Sequence, residues 1–295
     1  MDQTTDLTTR FVFDQMPVRG IHTRLDGVWR HIAGLRQYPA AVRQALGELT
    51  AACVLLAGNM KREGRLIMQI QGKGRLKMLV AETTSAHTCR ATAHWDTQAD
   101  FDDAEGLPAL LGDGGVFAIT LRPDEGEPWQ GIVPLEGGGI AAMLENHMRR
   151  SEQVETRILL AADENRAAGL LLQKLPEEDG QGGWEHTNTL AATLRREELL
   201  ELDAQHLLYR LFHQTPPRVF TPDALEFACT CSRGKVSDLL LLLGADEVGA
   251  AVAEEGSIAV SCDFCNSRYV FDETDVHALF GSDIVHAERQ IHRIQ

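Results

Sequence analysis

The 295-residue chain has no surplus of positive charge, no secretory-type pattern in its opening residues and no long uninterrupted apolar run. Its 28 Lys+Arg stand against 43 Asp+Glu, a net charge of 28 − 43 = −15. A nucleic-acid binder needs a basic stripe to displace phosphate counterions, and the chain as a whole does not supply one. The longest strongly apolar run, Leu239 to Leu243, falls far short of the ~20 residues that cross a bilayer as a helix, so no transmembrane helix is expected. The opening residues, MDQTTDLTTRFVF, lack a basic region followed by an apolar stretch and a small-residue cleavage site. A cytosolic, reducing location is therefore expected. Catalytic signatures are missing too: there is no G-x-S-x-G, and the eleven histidines show neither H-E-x-x-H nor H-x-x-x-H spacing. GGG at 137–139 is followed by no Lys-Ser/Thr pair, which favours a strand-to-helix hinge over a phosphate cradle. These absences point away from an enzyme.

With 44% hydrophobic and 24% charged residues, the chain can bury a core and is neither a disordered tail nor a disulfide-dense miniprotein. Charge is unevenly spread. Residues 1–100 carry 13 basic and 9 acidic side chains, a net of +4, and residues 101–295 carry 15 and 34, a net of −19. Cysteine is uneven as well. Cys53 and Cys89 stand alone, whereas Cys229, Cys231, Cys262 and Cys265 fall within 37 residues. In a reducing compartment such a cluster suggests a metal site before it suggests disulfides.

Short alternating segments at 11–13, 18–26, 65–71, 75–83, 88–95, 116–122 and 129–135 read as strands, some joined by turns such as GKG at 72–74. The stretch 39–60 reads as a helix beginning at a proline, 140–150 as another, and 157–163 with 167–175 as a last strand hairpin. This pattern predicts an α+β N-terminal domain, residues 1–176, with a mainly antiparallel sheet and helices. PEEDGQGG at 176–183 has linker composition, and 184–212 reads as helical throughout, ended by Pro216–Pro217. The expected linker, with its amphipathic helices, covers 177–226. The plainest reading is two ordinary helices packed on the first domain; conditional exposure as binding surface is the alternative. The last segment, 227–295, is expected to hold a helix from Ser232 to Leu243 stopped by Gly244, a second capped by Asp246, two short strands at 257–262 and 267–271, and a closing helix around 276–280.

Within that segment the pattern is C-x-C, 30 residues, then C-x-x-C. Four thiolates satisfy a closed tetrahedral zinc site. The C-x-x-C sits at the tip of an expected hairpin, with Asn266 suited to a positive φ in the turn. A thioredoxin-type redox motif calls for a helix after the C-x-x-C, and SRYVF after Cys265 is a strand pattern instead. Unrelated buried thiols are the remaining alternative. Thiolates are also what oxidants attack, and oxidation of all four to disulfides would deprive a zinc ion of every ligand. Cys53 and Cys89 read as inert buried thiols, and His277 as a helix-surface residue.

The phrases RFVFDQMPVRG (10–20), WQGIVPLEGG (129–138), LLLQKLP (170–176), CTCSRGKV and CDFCNSRYVF closely resemble the heat shock protein 33 family of redox-regulated bacterial chaperones. The resemblance spans nearly the whole chain. It implies an ATP-independent holdase whose reduced form binds one Zn2+ through Cys229, Cys231, Cys262 and Cys265. It also implies that oxidation forms a disulfide within each near pair, releases zinc, unfolds the C-terminal module, destabilises the linker, exposes surface for unfolded client proteins and favours a homodimer. WQG departs from the family's more frequent tyrosine version, and the Leu239–Leu243 run is greasy for this module; neither touches the cysteines. A zinc-ribbon nucleic-acid module and a thiol oxidoreductase using Cys262 and Cys265 are the alternatives. The first is opposed by the net −6 of Cys229 to Phe280, with three basic and nine acidic residues. Neither nucleic acid nor membrane is expected as a partner.

Overall fold

The computed structural model describes residues 6–102, 106–176 and 182–281; most of the PEEDGQGG segment lies outside them. The chain forms two units, 1–228 and 229–295. In chain order the first unit holds β1 (Leu7–Val12), β2 (Val18–Leu25), α1 (Gly27–Gly34), α2 (Ala40–Ala57), β3 (Gly64–Gln71), β4 (Leu76–Thr84) and β5 (Thr88–Trp95). There follow α3 (Leu107–Leu111), β6 (Val116–Pro123), β7 (Trp129–Val133), α4 (Ile140–His147), β8 (Thr156–Ala162) and β9 (Ala167–Lys174). The unit closes with α5 (Gly183–Ala191), α6 (Arg196–Glu201), α7 (Ala204–Phe212) and three two-residue strands, β10 (Arg218–Val219), β11 (Asp223–Ala224) and β12 (Glu226–Phe227).

One sheet runs β10-β1-β2-β9-β8 with β11 also on β1, and the other runs β12-β5-β4-β3-β6-β7. Pairing is antiparallel apart from the short parallel contact of β12 with β5. The α+β reading with mainly antiparallel sheets therefore holds.

Helix α2 packs against both sheets. Its sequence, AAVRQALGELTAACVLLA, is long and apolar enough to pass for a membrane span, but both sides are covered by protein. At Gly47 an added Cβ would stand 2.4 Å from the Ala162 Cβ on β8, so the helix lies close against the sheet. Strand β9 reads as a continuous apolar run because both its faces are buried. Leu171 joins the cluster around α2, whereas Leu170 and Leu172 join a second cluster beneath α5, α6 and α7. Strand β3 alternates instead: Leu66, Met68 and Ile70 are buried, and Arg65, Ile67 and Gln69 are partly open.

The segment 184–212 forms three helices instead of the two expected. The reason is local. The Glu198 carboxylate accepts the Arg195 backbone N–H (3.0 Å), and Asp203 accepts that of His206 (2.9 Å), so each side chain starts a new helix where the previous one stops. Helix α1 was not foreseen, and its start is satisfied from far away in sequence. The Asp6 carboxylate accepts the backbone N–H groups of Asp26 (2.7 Å), Gly27 (3.1 Å) and Val28 (3.0 Å). Beyond Pro217 the chain also returns to both sheets through β10, β11 and β12, and Leu225 is buried in the α2 cluster.

His22 on β2 is buried, and its Nε2 makes no hydrogen bond. Burial, with help from the Arg24 guanidinium and against the Asp203 carboxylate, lowers its pKa from 6.5 to about 4. Between these values the unfolded chain takes up a proton that the folded chain refuses, so stability is lost as pH falls from about 6.5 towards 4. The full shift corresponds to roughly 3 kcal/mol. Urea midpoints of the full chain at pH 7 and pH 4.5 are expected to differ less in His22→Gln than in the parent; an unchanged difference would remove His22 as a source of acid sensitivity.

The second unit contains α8 (Arg233–Leu243), α9 (Ala245–Glu255), β13 (Ser257–Ser261) and β14 (Arg268–Asp272), with 273–281 helical. Val236, Leu240, Val248, Val252, Phe271 and Val276 form its core. Of the leucine run only Leu240 is buried, while Leu239, Leu242 and Leu243 are exposed. Gly244 (φ 97°), not Asp246, stands at the start of α9.

Candidate metal centre

The two cysteine pairs reach one point by different local means. Cys229 and Cys231 lie on the extended approach to α8, whose N-cap Ser232 accepts the Lys235 backbone N–H at 3.2 Å. The Lys235 ammonium caps the Thr230 carbonyl between them (2.6 Å). Cys262 and Cys265 occupy the turn joining β13 to β14. There the Cys262 N–H donates to the Ser267 carbonyl (2.9 Å) and the Asn266 N–H to the Cys262 carbonyl (2.8 Å). Asn266 has φ 56°, the positive value its residue type suggested. The same turn aims the backbone N–H groups of Phe264 and Cys265 at the Cys262 sulfur, donors that suit a thiolate.

All four Sγ atoms lie within 4.8 Å of one another. Cys229 and Cys262 are 3.6 Å apart, and Cys231 and Cys265 are 3.3 Å apart. Sulfurs ~2.3 Å from a tetrahedrally bound zinc stand about 3.8 Å from each other, so the observed separations bracket those of a closed S4 site. They are also too long for a disulfide bond of ~2.05 Å, and all six cysteines are free thiols. The donor set therefore fits a thiophilic metal ion.

Hydroxyls complete the surroundings: Tyr269 Oη donates to Cys231 Sγ at 3.1 Å, and Ser267 Oγ lies 3.2 Å from Cys265 Sγ. Against the cost of desolvation, the Ser267 hydroxyl and amide help to bring the Cys265 thiol down to about 6. Burial pushes Cys262 up to about 12.

The other sequence-level candidates sit elsewhere. Cys53 and Cys89 are buried in the first unit, where burial pushes both thiols up to about 12, the condition of an unreactive thiol. His277 is exposed beside Glu273 at 3.8 Å. Gly137, with φ 117°, and Gly139 as N-cap form the turn into α4, as a hinge requires. Tyr269 and Ser267 were missed as members of the centre. Ser267 and Tyr269 stand two residues apart at the entry to β14, but Asn266 with its positive φ breaks the alternation before Cys265, so only the folded hairpin shows which sulfur each meets.

The family model described as Hsp33 protein matches residues 6–272. The chain is 65% identical over 281 residues to the 33 kDa chaperonin of Neisseria meningitidis serogroup B, covering 95% of this chain and 93% of that one. It is 49% identical over 288 residues to the 33 kDa chaperonin of Chromobacterium violaceum, covering 97% of each. The crystal structure of the 33 kDa chaperonin (heat shock protein 33 homolog) of Thermotoga maritima shares the fold, with a TM-score of 0.83 over 95% of this chain and 99% of that one, at 22% identity.

Proposed function

The chain belongs to the Hsp33 family, and from that membership we propose that it is a redox-regulated, ATP-independent holdase chaperone. The observation that carries the redox reading is the gathering of Cys229, Cys231, Cys262 and Cys265 into one S4 cluster while Cys53 and Cys89 stay buried and protonated. In the reduced state these four residues would hold one Zn2+, which when bound supplies cross-linking of the C-x-C approach to the β13–β14 turn. The activating oxidant is a peroxide. Within each near pair, Cys229 with Cys231 and Cys262 with Cys265, one thiolate attacks the O–O bond to give a sulfenic acid and hydroxide. Its neighbour then displaces the sulfenic oxygen, so two electrons leave the pair, one S–S bond forms and, with two protons, two waters are released per peroxide. With every ligand consumed, the second unit loses its cross-link and unfolds, and the linker, residues 177–226, follows.

Client binding then uses apolar surface that the resting protein covers. The outer face of the first sheet, with Val18, Leu170 and Leu172 under α5 to α7, is such a surface. The partners are unfolding proteins and, in the oxidised state, a second copy of the chain; the setting is the reducing cytoplasm, and no turnover or nucleotide is involved. Treatment of zinc-loaded protein with peroxide at raised temperature is expected to release about one zinc, to abolish about four titratable thiols, and to make the protein suppress aggregation of a heat-unfolding client. Oxidised protein that protects no better than reduced protein would refute the switch.

A further inference from the structure

The four sulfurs differ in what supports them. Cys262 receives backbone N–H groups from its own turn, and Cys265 has Ser267 two residues away. Cys231 instead has a hydroxyl from 38 residues away in sequence, Tyr269 Oη at 3.1 Å. Tyr269 stands on β14, opposite Val260 of β13, and its ring packs against the second unit's core. The strand itself is clamped. Arg233 donates to the Val270 carbonyl (2.7 Å), lies 4.1 Å over the Phe271 ring and pairs with Asp275 at 2.7 Å. The phenol is thus fixed by the hairpin and by α8, not by the ligands it serves.

We propose that Tyr269 is a positioning residue of the metal centre: its hydroxyl donates a hydrogen bond to the Cys231 sulfur and so fastens the C-x-C approach to the strand that follows the C-x-x-C turn. This rests on the reading of the four cysteines as zinc ligands. Two consequences follow from general chemistry. Donors around a ligand orient it, and their loss typically weakens metal binding 10–100-fold. A hydrogen bond to a thiolate also withdraws electron density from sulfur, which lowers its reactivity towards an electrophile. Cys231 is thereby held on the ion and shielded from attack until the hairpin loosens.

The test is Tyr269→Phe in the full-length reduced protein, which keeps the ring and removes only the hydroxyl. Competition with a chromophoric chelator is expected to show 10–100-fold weaker zinc retention. The thiolate-to-metal charge-transfer band of the cobalt-substituted protein is expected to move to lower energy, a shift that loss of packing alone does not produce. Alkylation followed by mass spectrometry should find Cys231 modified faster. Replacing Tyr269 with 3-fluorotyrosine, a stronger donor, should move the band the other way, and this arm stands even where the phenylalanine variant fails to fold. An unmoved band and equal zinc retention in both variants overturn the proposal. Parent protein that binds no zinc overturns the ligand reading itself, so the two failures are told apart.

Discussion

Removal of zinc from the reduced protein with a chelator is expected to unfold residues 229–281 and to leave the two sheets of the first unit folded. The second unit's core rests on a few side chains from α8, α9, β14 and the segment after it. A module of this size rarely draws more than ~3–5 kcal/mol from its core, whereas a structural zinc contributes ~10–16 kcal/mol of apparent binding free energy that exists only in the folded form. Three of the five leucines at 239–243 are exposed, so the greasiest stretch of the unit adds little to its stability. The two sheets contain no part of the cluster and keep the large apolar core around α2. Amide exchange on the full chain separates the outcomes. Protection in β13 and β14 should collapse on chelation, while β2, β3, β4 and β9 stay protected. Cys262→Ser should reproduce the chelated pattern and lose stoichiometric zinc. Undiminished β13–β14 protection in metal-free protein would mean that the cluster is not what holds this unit together.

The centre was legible in the sequence because its chemistry is local. A C-x-x-C between two alternating segments fixes a hairpin tip, and Asn266 marks the positive φ that the turn needs. The strands of the first unit were legible for the same reason, since alternation and turn residues act over a few positions. What escaped depends on distant partners. Helix α1 starts on the Asp6 carboxylate, some 20 residues upstream, while its own N-cap residue, Asp26, turns its carboxylate to Arg24 and makes no cap bond. Strands β10 to β12 are two residues long, too short for any period to show, and they exist because β1 and β5 offer free edges. The breaks within 184–212 had a local sign, since Glu198 stands three residues after Arg195 and Asp203 precedes α7, but the leucine spacing masked it. Tyr269 shows the same limit at the site: its face on β14 follows from alternation, its partner sulfur only from the fold.

Phe212→Ala is expected to make the reduced, zinc-loaded protein suppress client aggregation without any oxidant. Phe212, the last residue of α7, is fully buried and meets Phe13 edge-to-face at 5.1 Å, and Phe13 in turn meets Phe11 at 5.9 Å. Truncation of such a ring costs about 3–5 kcal/mol, part transfer free energy and part cavity. The loss falls on the contact that holds the last of the outer helices to the sheet, so it favours local opening of α5 to α7 over unfolding of the whole unit. Opening bares Val18, Leu170 and Leu172, an apolar strand surface suited to unfolding chains. Leu46→Ala on α2 is the matched control. It removes a fully buried side chain from the other cluster, at a cost of about 2–5 kcal/mol, but leaves the outer layer in place. Aggregation suppression by reduced Phe212→Ala and not by reduced Leu46→Ala places the client surface under the outer helices. Equal suppression by both would make general destabilisation the cause, and suppression by neither would mean that opening this layer is not sufficient to create a client surface.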